Sequence, residues 1–200
     1  MASNETTIML SNVRLAFPHL FTPSKTDFNG LYRRGALFII RGDDAANLAV
    51  VNAAIERAAE RKWPDVKKRA AILALLHRQD KVCLHEGITK AKYDGFEGNW
   101  FLSANAKSAE TIEGAGPVTV VDRDRTIALT EAHGRPYSGC YVNALVEIYA
   151  QDSPSYGQRI NAVLKGVQFW ADGDAFAGTP PARPEEFSAL EESSNAEDFV

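Results

Sequence analysis

The sequence predicts a mainly β protein with one helical insert. Residues 99–108 and 139–150 alternate apolar and polar side chains with a period of two, which is the pattern of half-buried strands. Between residues 44 and 78, apolar residues instead recur at spacings of three and four, the pattern of amphipathic helices. Strand patterns therefore stand on both sides of a single helical stretch.

The first two predicted strands are separated by a loop. Residues 8–17 form the first predicted strand, which Pro18 is expected to end, and residues 18–31, rich in Pro, Gly and Asp, are predicted to be a loop. Residues 31–40 form the second strand. The side chains expected on the inward side of the first strand are Met9, Val13, Leu15 and Phe17. The basic pair at the entrance of the second strand is Arg33 and Arg34.

The helical insert is predicted to contain two helices. Asp43 or Asp44 can cap a helix that runs to about Trp63, and Asp65 can cap a second helix after the interruption at Pro64. The inward stripe predicted for the first helix is Leu48, Val51, Ile55 and Ala58. The stripe predicted for the second is Val66, Ala70, Leu73 and Leu76.

The later strands place aromatic rings opposite the predicted core face. In 99–108 the core side carries Trp100, Leu102, Ala104 and Ala106. In 139–150 the core side carries Cys140, Val142, Ala144, Val146, Ile148 and Ala150. Phe101 and Tyr141 lie on the opposite faces, and a last short strand is expected within residues 160–170. Each ring could equally pack against the helices or a neighbouring strand.

Composition indicates one globular domain, residues 1–179, followed by an acidic tail, residues 180–200. A hydrophobic content of 45% and a charged content of 24% are typical of a soluble domain. We find no apolar run long enough to span a membrane and no secretory signal pattern. The two cysteines are therefore expected to be free thiols in a reducing cytoplasm.

The tail differs in charge from the rest of the chain. Residues 180–200 carry six acidic residues and one arginine, a net charge of −5, so the other residues sum to +1 out of the total of −4. With little apolar content, the tail is expected to be disordered. An aromatic Phe199 among carboxylates suits docking to a basic pocket, on a partner or on the protein itself. The tail residues expected to act in this way are Glu191, Glu192, Glu197, Asp198 and Phe199.

Aromatic and basic residues interleave along the strands and the loops that flank them. Single-stranded nucleic acid needs rings on which bases stack and cations that meet its phosphates. The candidate stacking residues are Phe101, Tyr141, Tyr137 and Tyr93. The candidate phosphate contacts are Arg33, Arg34, Lys90, Lys92, Lys107 and Arg123.

Patterns of catalytic chemistry are sparse. The sequence has no glycine-rich phosphate loop and no HExxH pair, and Cys83 and His85 lack the second ligand pair of a zinc site. The sequence therefore predicts neither an enzyme nor a bound metal or cofactor.

Nine segments in a fixed order carry a family resemblance. They are Val13–Phe21, Gly35–Ile40, Glu60–Trp63, Tyr93–Gly98, Ala106–Ser108, Val120–Arg123, Tyr137–Val142, Asn161–Gln168 and Ala196–Phe199. The most specific is Tyr137–Val142, Tyr-Ser-Gly-Cys-Tyr-Val. In these segments the chain resembles a family of phage replicative single-stranded DNA-binding proteins, long labelled a domain of unknown function, and is similar in plan to the podophage single-strand binders.

The resemblance implies a variant OB-fold, a five-stranded Greek-key barrel with a helical insertion and an unstructured acidic tail. It also implies sequence-independent binding of single-stranded DNA in phage replication or recombination, by stacking and phosphate contacts. From the charge split and Phe199, we also expect the tail to dock phage or host replication proteins and to compete with DNA for the basic surface. Two alternatives stay open: a strand-annealing recombination mediator, and an adaptor that acts only through its tail. The oligomeric state, including a homo-oligomer, is left open as well.

Overall fold

A computed structural model describes residues 5–26 and 29–176. Within these residues the chain forms seven strands and two α-helices, in an order that matches the predicted β protein with a helical insert. The elements are β1 (Thr7–Lys25), β2 (Tyr32–Ile40), α1 (Ala45–Lys62), α2 (Val66–Arg78), β3 (Leu84–Glu86), β4 (Trp100–Asn105), β5 (Thr119–Val121), β6 (Tyr141–Ser153) and β7 (Gly157–Ala171).

Five of the strands close into a barrel. Antiparallel pairings join β2 to β1, β1 to β6, β6 to β7 and β2 to β4. The barrel closes where β4 and β7 run parallel, at the pair Asn105 and Val163. The order β1-β2-β4-β7-β6 is that of the five-stranded Greek-key barrel of the OB-fold, so the expected fold class is confirmed. The short strands β3 and β5 extend the sheet beyond β4 and β7.

Strand β1 is longer and less regular than its sequence pattern predicts. It continues through Pro18 to Lys25 because three register shifts accommodate extra residues, one between Leu10 and Val13, one between Ala16 and His19 and one between His19 and Ser24. Each shift reverses the alternation of faces. The assignments of Met9 and Phe17 to the core are therefore wrong, since their side chains are 48% and 41% exposed.

Both helices begin at the predicted caps. Asp44 accepts a hydrogen bond from the backbone N–H of Asn47, and Asp65 accepts one from Lys68. The expectation that Val66 and Ala70 face inward is wrong because only the C-terminal half of α2 reaches the barrel. Its buried residues are Ile72, Leu73 and Leu76.

Helix α1 is fixed to the barrel at the first register shift of β1. The side chain of Asn47, which is buried, accepts a hydrogen bond from the N–H of Ser11 and donates one to its carbonyl, at 3.0 and 2.9 Å. These bonds satisfy the backbone groups that the bulge withdraws from pairing. Among the described residues, no helix combines the length and apolar character that a membrane crossing requires.

The main core fills the barrel and the space beneath the helices. The predicted core side of β6 is confirmed at Val142, Ala144, Val146 and Ile148, Cys140 just before the strand is also buried, and Ala150 is half-buried. A second, smaller hydrophobic cluster lies on the outer face of β1, β2 and β4. Its buried members are Ala16, Ile39, Phe96 and Phe101.

Candidate nucleic-acid interface

An open groove of about 650 Å³ crosses the outer face of the barrel where β4 meets β7. Ser103 and Asn105 of β4 contribute to its lining. Asn29, in the connection between β1 and β2, and Tyr156, at the tip of the hairpin between β6 and β7, also line it. The groove therefore lies between the two loops that flank the ligand-binding face of OB-folds.

Cations outnumber carboxylates in this groove. Among the described residues that line it, the cations are Arg33, Lys81, Lys107 and Arg159, and the carboxylate is Asp80. Partial burial lowers the pKa of Arg33, but an arginine remains charged at neutral pH. The groove thus offers a positive surface to an anionic chain.

Two tyrosines supply exposed rings in the same groove. Tyr149 of β6 and Tyr156 are 41% and 50% exposed. Neither was among the sequence candidates. Tyr149 carried a usable signal because it has the same parity in its strand as Tyr141, whereas Tyr156 and Arg159 enter the groove through the β6–β7 hairpin.

A second group of rings and cations lies on the outer face of β1 and β4. The Tyr93 ring meets that of Phe17 edge to face, with centroids 5.0 Å apart, and is 38% exposed. The Lys90 ammonium lies 5.8 Å from the Tyr93 centroid and that of Lys92 lies 5.0 Å from it. The structure thus brings together three of the sequence candidates, Tyr93, Lys90 and Lys92.

Phe101 lies on the predicted face of β4, but the expectation that it is exposed is wrong. Its side chain is 3% exposed because the segment between β3 and β4 folds back over it. Phe96 contacts the Phe101 ring edge to face at 5.2 Å, and His85 stacks on it at 4.9 Å. Phe101 is therefore the floor of this aromatic cluster.

His85 belongs to both surfaces. Its ring stacks on Phe101, and the same residue lines the groove. Its Nδ1 lies 2.6 Å from a carboxylate oxygen of Asp80, which fixes the orientation of the ring. The groove and the aromatic cluster are therefore contiguous.

The other two tyrosine candidates lie against the last described residues. The guanidinium of Arg14 is 5.4 Å from the half-buried Tyr141 ring and 4.2 Å from the Phe176 ring. The Tyr137 hydroxyl donates a hydrogen bond to a carboxylate oxygen of Asp172 at 2.9 Å. Burial raises the pKa of Tyr137. The structure does not place either ring among the residues that line the groove.

Two of the predicted phosphate contacts bind backbone carbonyls. Arg34 donates to the carbonyls of Phe21 and Ala115, at 3.1 and 2.8 Å, and so ties the loop after β4 to the barrel. Arg123 donates to the carbonyl of Trp170. Of the six predicted cations, Arg33 and Lys107 line the groove.

The thiols are poorly suited to ligand chemistry. Burial raises the pKa of Cys83 and of Cys140 to about 12, so both stay protonated at neutral pH. Within residues 5–26 and 29–176, no group of three or more His, Cys, Asp or Glu side chains is arranged to hold a metal ion.

The predicted tail residues, Glu191, Glu192, Glu197, Asp198 and Phe199, lie outside the described residues.

Comparison with known proteins identifies the family. The model of the family described as the single-stranded DNA-binding protein of Enterobacter phage Enc34 matches residues 6–200. This chain belongs to that family. It is also 40% identical, over 183 residues, to protein p50 of Acyrthosiphon pisum secondary endosymbiont phage 1, an alignment that covers 92% of this chain and 93% of p50.

Solved structures share the fold. The Enc34 protein in complex with single-stranded DNA superposes with a TM-score of 0.66 at 22% identity, over 85% of this chain and 89% of that one. A C-terminally truncated form of the Enc34 protein gives 0.65 at 23% identity, over 86% and 88%. The bacteriophage T7 single-stranded DNA-binding protein gp2.5 gives 0.51 at 11% identity, over 94% and 97%.

Proposed function

We propose that this protein is a non-enzymatic, sequence-independent single-stranded DNA-binding protein of phage DNA replication or recombination. The observation that carries the proposal is the groove between the β1–β2 connection and the β6–β7 hairpin, which combines four cations with two exposed tyrosine rings. This is the composition that single-stranded nucleic acid requires, on the face that OB-folds use for oligonucleotides.

The cations are proposed to meet phosphates. Arg33 and Lys107 enter the groove from β2 and from the loop after β4, and Lys81 and Arg159 enter it from the segment before β3 and from β7. Phosphates are the same in every sequence, so such contacts bind without base preference. Each single-strand phosphate neutralised should steepen the logarithmic salt dependence of binding by about 0.7.

The exposed rings are proposed to stack on bases. Tyr149 and Tyr156 are about half-exposed in the groove, and every base offers a face to such a ring. Each stacked base is expected to contribute roughly 1–3 kcal/mol. The Enc34 protein, which shares this fold, was solved in complex with single-stranded DNA, and this supports single-strand binding as the function.

The test is equilibrium binding by fluorescence anisotropy. A labelled oligo-dT should bind, a mixed-sequence single strand should compete about equally, and the same sequence as a duplex should compete poorly. No binding of oligo-dT, or equal competition by the duplex, would contradict the proposal. Accelerated pairing of complementary strands in the same samples would indicate the annealing alternative. An adaptor that acts only through its tail would neither bind oligo-dT nor accelerate this pairing.

The acidic tail is proposed to dock replication proteins and to compete with DNA for the groove, in the host cytoplasm. The support is the charge split between a tail of −5 and a body of +1. A tethered competitor acts at a high effective concentration, so removing residues 180–200 should tighten oligo-dT binding, most clearly at low salt. Equal affinity of the two proteins at low salt would remove the autoinhibitory part of this proposal.

A further inference from the structure

We propose that Phe17 and Tyr93 form a second base-stacking site, separate from the groove, which engages single-stranded DNA that extends out of it. The inference rests on the proposed function and adds a contact surface to it. We call this pair, with Lys90 and Lys92, the platform.

The backbone at Phe17 is unusual for the residue it carries. Its φ is +48°, in the left-handed region that residues other than glycine rarely adopt, and it lies within the register shift between Ala16 and His19. The shift leaves a large apolar ring 41% exposed in the middle of a strand. Bulges and left-handed residues that re-aim a side chain are concentrated at functional sites.

The two rings of the platform are arranged to receive a base. They meet edge to face, with an interplanar angle of 83°, so the two rings do not stack on each other. Both side chains are about two-fifths exposed. Phe96 and Phe101 lie beneath them, with Phe96 6.1 Å from the Phe17 ring and 6.4 Å from that of Tyr93, and hold the platform on a buried base.

The cations of the platform lie over its rings at cation–π distances, and a base that stacks there would displace them toward its phosphate. The ammonium of Lys90 is 6.0 Å from the Phe17 ring and 5.8 Å from the Tyr93 ring, and Lys92 approaches Tyr93 at 5.0 Å. The same segment also carries Asp94 and Glu97. The net charge of this segment is therefore small, so the proposed contact with DNA depends on the position of the two lysines against the rings.

The platform is continuous with the groove. His85 lines the groove and stacks on Phe101, and the Lys90 ammonium lies 6.0 Å from that same Phe101 ring. A strand that leaves the groove past His85 therefore reaches Phe17 and Tyr93 next. The ligand that fits rings and ammonium groups placed in this spatial order is the same single strand, continuing out of the groove.

The experiment measures affinity against oligonucleotide length. Oligo-dT from about 4 to about 16 nucleotides covers the site sizes of single OB-folds. Phe17→Leu keeps an apolar side chain and removes the ring. It should leave the shortest oligomers bound as in the wild type and weaken the longest by about 5- to 140-fold, the equivalent of roughly 1–3 kcal/mol for one lost base.

Trp170→Leu is the matched control, since this exposed ring on β7 belongs neither to the groove lining nor to the platform. It should bind all lengths as the wild type does. An equal loss at every length for Phe17→Leu, or no loss at any length, overturns the proposal.

A second measurement does not depend on a variant. Oligo-dT substituted with 5-iodouracil near one end should crosslink under ultraviolet light to Phe17 or Tyr93 of the wild-type protein. Crosslinks confined to groove residues overturn the platform. If the wild type binds no oligo-dT, the proposed function fails as well. If Arg33→Gln weakens binding while Phe17→Leu binds normally at every length, only the platform fails.

Discussion

Neutralising two groove cations should flatten the salt dependence of DNA binding by a defined amount. Arg33 and Lys107 approach the groove from different elements, and neither has an ion pair among those formed in the described part of the chain. If each neutralises one phosphate, the double variant Arg33→Gln/Lys107→Gln should lower the slope of log K against log salt by about 1.4. Over a tenfold range of salt, that difference corresponds to a factor of about 25 in affinity.

The assay is anisotropy of labelled oligo-dT at a series of salt concentrations. The control is Lys67→Gln/Arg78→Gln, which removes the same charge from exposed positions of α2 outside the groove lining. The control should shift affinity slightly at low salt and leave the slope unchanged. An unchanged slope in the groove variant, or an equal change in both variants, would refute the assignment of the groove as the phosphate-binding surface.

Three further predictions concern base stacking, the packing of Gly139 against the residues after β7, and the β6–β7 hairpin. Tyr156→Ala should weaken oligo-dT binding by roughly 1–3 kcal/mol, measured by anisotropy, with no change in melting temperature, because its ring is half-exposed. Gly139→Ala should destabilise the fold by at least about 1–3 kcal/mol in urea, because Gly139 has a φ of +103° and a Cβ there would lie 2.2 Å from the carbonyl oxygen of Asp174. A hydrogen bond from Gln158 lowers the pKa of Asp152 in the folded protein. The ionised carboxylate therefore stabilises the fold above its unfolded pKa of about 3.9, and this stabilisation is lost as pH falls through the lower folded pKa. In the Asp152→Asn variant, the melting temperature should accordingly depend less on pH across that acidic range.

Strand patterns that depend on neighbouring residues were predictable from the sequence. The alternation of β6 places Val142, Ala144, Val146 and Ile148 in the core because side chains alternate faces along any regular strand. The helix caps at Asp44 and Asp65 are equally local. The closed barrel itself was expected from the family resemblance, since the pairing of Asn105 with Val163 joins residues far apart in the chain.

The errors arise where distant parts of the chain decide the local structure. Met9 is exposed because β1 changes face at a bulge whose backbone groups bond to Asn47 of α1. Phe101 is buried because Phe96 folds back over it from the loop before β4. Neither partner can be identified from the alternation within the strand.

The sequence predicted the types of residue in the candidate site better than it predicted where they lie. Rings and cations were expected on the outer strands, and Arg33, Lys107, Tyr93, Lys90 and Lys92 do lie on one contiguous surface. The hairpin residues of the groove were missed because β7 begins earlier than the apolar pattern indicates. The length of β7 is set by pairing with β6, which runs to the pair Ser153 and Gly157.

Amide hydrogen exchange with and without oligo-dT locates DNA on the wild-type protein and so tests whether the groove is the binding surface. Binding in the groove should slow exchange in residues 101–108 and in the hairpin at 153–160 and leave exchange in α1 and α2 unchanged. Protection confined to the helices, with the groove segments exchanging as in the free protein, would contradict it.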